Sequence, residues 1–324
     1  MKFQFFLVLA SIATLGAIAA EPKIIRVGMI GLDTSHVTAF TKILHDPANG
    51  YPVRVVAAFP QSSPDIESSY TKMDGYVKTL SEEYGVKMME SIEAMLPLVD
   101  VVMIESVDGR PHLAQARPCL QAGKPTFIDK PAAATLADAM AIYALARETG
   151  TPVWSASNLR FHPGVVKAAQ ADVGEIAAAV SFGPAPLEEH HPDLAWYGIH
   201  PTEALFTVLG PECLSVTRTH TEGTDVVTGV WEGGRVGTVL GLRASKSVYG
   251  VKVFGSKAVI EESAGAAYPE LMKEMVAFFK TGKPPVSEKE TLAIMAFIAA
   301  ADASKERGGV PVTLAEMLET PPGQ

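Results

Sequence analysis

The feature that most limits what this chain can fold into is an alternation through its first half. Short apolar runs lie at residues 24–30, 53–59, 99–104, 126–128 and 152–155, with helical spacing between them. The helices are read at residues 37–44, from the polar turn 61–65 to about Tyr84, at 112–122 ended by Gly123, and at 136–149 ended by Gly150. Strand and helix alternating in short units imply an α/β arrangement, a right-handed, doubly wound parallel sheet. In such sheets ligands bind beyond the carboxyl ends of the strands. Asp129 and Lys130 follow the run Thr126-Phe127-Ile128 directly and stand at such an end. A lysine there is expensive to bury unless a ligand or carboxylate meets it.

The texture changes after about Asn158. Strand-like segments at 174–182, 214–221, 226–231, 236–242 and 248–254 are closely spaced and parted by Gly-rich turns, with Glu232-Gly233-Gly234-Arg235 as a hairpin turn. One helix, 202–208, enters this mainly antiparallel sheet, and helices 268–280 and 289–307 close the chain. The expected organisation is therefore a parallel-sheet domain over 22–157 and an α+β domain over 158–324, with the last helices packing back. Length suffices for both, since 324 residues can hold two ordinary cores.

Residues 1–20 read as a secretory signal: Lys2, then an uncharged apolar stretch, then Ala17-Ile18-Ala19-Ala20. No basic stop-transfer cluster follows, so no stable membrane insertion is expected after cleavage, and the absence of an Arg pair points to a Sec-type route. The chain is read as exported to the periplasm or beyond. A formal charge of -9 with no basic stripe excludes a nucleic-acid partner. Small neutral ligands suit it better. Cys119, on a helix, and Cys213, opening a strand of the other domain, are read as buried free thiols.

The turn Gly31-Leu32-Asp33-Thr34-Ser35-His36 compares weakly with the dinucleotide fingerprint G-x-G-x-x-G. Gly31 fits the first glycine, while Asp33 and His36 hold the places of the other two. A carboxylate at Asp33 repels phosphate unless it turns away to cap the helix. The helix N-terminus remains an anion site, with amides from Thr34 onward. The second strand ends Ala57-Ala58-Phe59-Pro60-Gln61, without the acid that binds ribose hydroxyls.

Later motifs are more specific. Gly123-Lys124-Pro125, Asp129-Lys130-Pro131 and the helix 136–150 resemble the Gfo/Idh/MocA family (glucose-fructose oxidoreductase, inositol dehydrogenase, MocA), as a divergent member with an altered glycine motif. The likeness continues through Asn158-Leu159-Arg160-Phe161, Gly174-Glu175-Ile176, Trp196-Tyr197-Gly198-Ile199-His200 and the closing helix. It implies a Rossmann-like NAD(P)-dependent oxidoreductase acting on a sugar, polyol or glycoside by hydride transfer, and a homo-oligomer. It places Lys130 between nicotinamide and substrate, with Gly31, Asp33, Thr34, Ser35, His36, Asp129 and Lys130 around the cofactor, NAD or NADP. His200 matches the family's acid/base histidine, but Trp196 stands where an Asp is usual, so Glu203 is the candidate to orient it. Arg160, His112 and Glu203 are candidate substrate contacts.

A competing constellation is Asp33 and His36 at the first strand tip with Glu105 and His112 at the third, which could hold a divalent metal or a sugar. His190 and His191 are read as a solvated loop. An unfolded exported chain carries no NAD with it, so the alternative is a non-redox sugar-binding protein or metal-assisted lyase or isomerase on this scaffold.

Overall fold

The structure, a computed structural model, describes Met1 and residues 23–319. The signal reading on residues 1–20 lies outside the described residues apart from Met1. Six strands, β1 (Ile25–Ile30), β2 (Val53–Phe59), β3 (Lys87–Met88), β4 (Val101–Ile104), β5 (Thr126–Asp129) and β6 (Val153–Ala156), form one parallel sheet in the order β3-β2-β1-β4-β5-β6. β4, β5 and β6 are buried at every position, as expected of strands covered on both faces. The order reverses between β1 and β4, which opens a crevice at their carboxyl ends. Glu105, Asp129 and the turn after β1 all fall there. The short β3 and the helix Ile92–Met95 lie between β2 and β4, where the sequence reading placed no element.

Helix Leu136–Thr149 starts on Thr135, whose hydroxyl accepts from the Asp138 amide at 3.1 Å, and stops at Gly150 in the left-handed region. The second sheet contains β7 (Ile176–Pro184), β8 (Cys213–His220), β9 (Thr224–Trp231), β10 (Val236–Leu242), β11 (Tyr249–Gly255), β12 (Val259–Ala264) and β13 (Val312–Thr313), in the order β12-β11-β7-β10-β9-β8-β13. It is mostly antiparallel, but β7 and β10 pair in parallel. Local alternation fixes which face each strand buries and leaves its partner open, so that pairing was not readable from the runs.

Two cores follow. One joins β1 and β2 residues such as Val27, Met29 and Val55 to Leu271, Met275 and Phe278, so helix Tyr268–Thr281 packs back on the first sheet. The other runs from β4 and helix Leu136–Thr149 through helix Glu288–Glu306 to β8 and β9, where Trp231 and Phe297 meet. Cys119 and Cys213 are both buried and free. Among the described residues no helix is long and apolar enough to cross a membrane.

Candidate active site

Lys130 leaves the tip of β5 and is 5% exposed. Burial lowers its pKa, while the charges of Asp129, Glu105 and Asp33 resist that fall. Its Nζ stands 5.2 Å from the centre of the Tyr197 ring, and the same ring meets His200 edge-on at 5.1 Å. His200 borders a cavity of about 170 Å³ with His36, Asn158, Tyr197, Tyr249 and Tyr268. Lys130 reaches that cavity's wall through Tyr197. A larger open groove, about 480 Å³ beside Tyr143 and Val286, has only the surface pair Arg147 and Glu288 as its charged groups.

Helix Ile199–Leu209 carries His200, whose Nδ1 lies 2.7 Å from Ser157 Oγ. That oxygen already accepts from the Leu159 amide, so the Ser157 hydroxyl is assigned as donor to Nδ1, leaving Nε2–H for the cavity. Burial, and then the nearby Lys130 charge, hold the His200 pKa well below the ordinary histidine value. The expectation that Glu203 orients His200 is corrected here. Glu203 Oε1 accepts from the Ser157 amide at 3.0 Å, and Oε2 pairs with Arg160 at 2.7 Å. Glu203 therefore acts on the histidine only through Ser157.

Arg160, expected at the substrate, is instead buried between Glu203 and Glu290. His112 likewise turns inward, each ring nitrogen 3.0 Å from a carbonyl, of Pro131 and of Ser106. It ties the loop after β4 to the chain after β5. His190 is exposed, but its neighbour departs from the solvated-loop reading. His191 is buried against Trp196 and accepts from the Gly109 amide at 3.2 Å. Tyr197 and Asn158 lie in the motifs read from the sequence but had no site role assigned, and Tyr249, Tyr268 and Ser157 were not singled out. They stand at the ends of helices and strands or in the turn after β6, where no periodic signal marks a site residue.

At the first turn, Gly31 has φ +75°, and a Cβ there would strike Ser106. Helix His36–His45 has no side-chain cap, and the amides of Thr34 and Ser35 make no hydrogen bond among the described residues. Asp33 is buried, accepting from Ser69 Oγ at 2.6 Å and the Val107 amide at 2.9 Å. Burial raises its pKa. His36 Nδ1 lies 2.6 Å from Asp129 Oδ2, its ring stacked on Phe40 and met edge-on by Tyr268. Burial would raise the Asp129 pKa, but the neighbouring His36 and Lys130 hold it low. Glu105 is fully buried, and neither carboxylate oxygen has a partner among the described residues. The four-residue metal set is thereby corrected. Asp33 and His112 are committed elsewhere, and the three groups whose donor atoms lie within 4.8 Å of one another are His36, Glu105 and Asp129.

A doubly wound sheet with its crevice at β1, β4 and β5 defines the class of Rossmann-like folds that bind ligands at the switch point. The comparisons agree. Residues 25–157 match the GFO_IDH_MocA model, described as an oxidoreductase family with an NAD-binding Rossmann fold. Residues 25–157 are thus similar to the Gfo/Idh/MocA family. No curated protein matches the sequence. Among solved structures, one described as a probable dehydrogenase from Thermotoga maritima superposes with TM-score 0.74 at 20% identity, covering 90% of this chain and 100% of that one. The myo-inositol dehydrogenase of Lactobacillus casei, crystallised with NAD(H) and myo-inositol, gives 0.71 at 18%, covering 90% and 96%. The apo scyllo-inositol dehydrogenase of Lactobacillus casei gives 0.74 at 16%, covering 90% and 99%. At these identities the likeness is one of fold.

The residues meet the family's dinucleotide unevenly. The uncapped helix with free Thr34 and Ser35 amides fits a pyrophosphate, because Asp33 spends both oxygens on Ser69 and Val107. The riboses fare worse. No acid stands at the β2 tip, where Gln61 accepts from Gln115 at 3.0 Å, and Asp129 is already taken by His36.

Proposed function

We propose that this chain is an NAD(P)-dependent oxidoreductase acting on the CH–OH group of a sugar or polyol. The observation that carries the reading is the buried Lys130 amine set across Tyr197 from His200 and its cavity. Gly31, Thr34, Ser35 and Lys130 are the residues to hold the dinucleotide, which supplies the hydride acceptor when bound, and Asp129 joins them only on release from His36. The cavity suits a single small ring better than a polymer. Neutral His200 offers Nε2–H to the substrate oxygen and fixes its direction. Lys130, made less basic by burial, takes the hydroxyl proton. Export and assembly into a homo-oligomer belong to the same reading, the latter favoured by Leu214, Val226 and Val230 exposed on β8 and β9.

The test is titration of the purified protein with NAD and NADP, followed by nicotinamide absorbance with inositols and hexoses. No binding at millimolar dinucleotide ends this reading. A second reading, a non-redox sugar-binding protein or metal-assisted lyase or isomerase, is favoured by the His36 and Asp129 contact, which engages the carboxylate beside Lys130.

A further inference from the structure

We propose that His36, Glu105 and Asp129 form a binding site for one divalent transition cation, with zinc-like preference. The three residues come from the three strand ends that frame the crevice: His36 follows β1, Glu105 follows β4 and Asp129 ends β5. Their donor atoms already lie within 4.8 Å of one another. Around a cation with bonds of about 2.0–2.2 Å, neighbouring donors stand about 3.4 Å apart, so small side-chain rotations complete the set. The imidazole is held for this by Phe40 and Tyr268.

Glu105 is the second, independent sign. A buried carboxyl group with two empty oxygens is costly, and no described residue pairs with it. A dication would satisfy those oxygens and replace the proton that His36 Nδ1 shares with Asp129. One imidazole with two carboxylates suits zinc, manganese or cobalt, and the imidazole disfavours magnesium and calcium. The proposal does not depend on the hydride reading. A cation here would contend with a dinucleotide for Asp129.

The test uses the purified chain stripped by a chelator and titrated with Zn²⁺, Co²⁺ and Mg²⁺ by calorimetry, with the visible spectrum of Co²⁺ as a second readout. One equivalent of Zn²⁺ is expected, bound at least a hundredfold tighter than Mg²⁺. Glu105→Gln and His36→Ala should each weaken it a hundredfold or more. Glu105→Gln keeps the side-chain shape without the carboxyl group, so its metal-free form should melt no lower than wild type. Stoichiometric uptake undiminished in Glu105→Gln, or no uptake at all, overturns the site. NAD binding without Zn²⁺ uptake sinks the cation alone, whereas Zn²⁺ uptake without NAD binding sinks only the hydride reading.

Discussion

At Lys130, burial and three carboxylates pull in opposite directions, and the balance leaves an amine less basic than usual. If it is the proton acceptor, Lys130→Ala lowers turnover by at least about a hundredfold, and His200→Ala does the same, both read from steady-state rates. Ser157→Ala should cost less, on the order of tenfold, because it loosens the imidazole without removing it. Equal losses in all three would point to a structural role instead. Lys130 could be read from the chain because an apolar run ending in a charge is a local pattern. The Ser157 contact could not. It joins a strand end to a helix through chain positions unrelated by any period, so Glu203, one helical turn from His200, looked the better partner.

Among the elements, the meeting of residues 158–161 with the helices Ile199–Leu209 and Glu288–Glu306 depends on one buried guanidinium. Arg160 is enclosed by Glu203 and Glu290, and their charges outweigh burial to keep its pKa raised. Glu203→Ala strips one partner, frees the Ser157 amide and should destabilise the protein by about 3–5 kcal/mol in urea unfolding. A loss below about 1 kcal/mol would mean that water reaches Arg160. The strands of the first sheet were legible because doubly covered strands read as unbroken apolar runs. In the second sheet the strands alternate buried and open positions, and β12 and β13, short or largely exposed, were missed, as were the neighbours of the five strands found. Whether β10 pairs in parallel with β7 depends on the path of the chain over 185–235 rather than on any residue in the pair.

On the scale of the molecule, Arg218 gathers the second domain. Fully buried on β8, it contacts Asp225 of β9, Asp193 of helix Asp193–Tyr197 and Asp302 of helix Glu288–Glu306. Burial raises Asp302 to about 7, helped by the other two carboxylates and opposed by Arg218. An acid whose folded pKa exceeds its unfolded one keeps the extra proton in the fold, so stability falls as pH climbs from about 4 to 7 and then levels. A quarter of that side chain meets solvent, which trims the effect. Asp302→Asn should flatten this slope and gain on the order of 1 kcal/mol at pH 8, measured by thermal melts across pH. An unchanged slope would place the titration elsewhere. One contact made near the end of the chain has a temporal meaning. Tyr268 lies against the edge of His36, and the amide beside it donates to Asn158. A ribosome must therefore deliver more than four fifths of the polypeptide before the pocket gains its last wall, and any fragment stopping short of that tyrosine should emerge with a crevice open to water and unable to hold a small ligand.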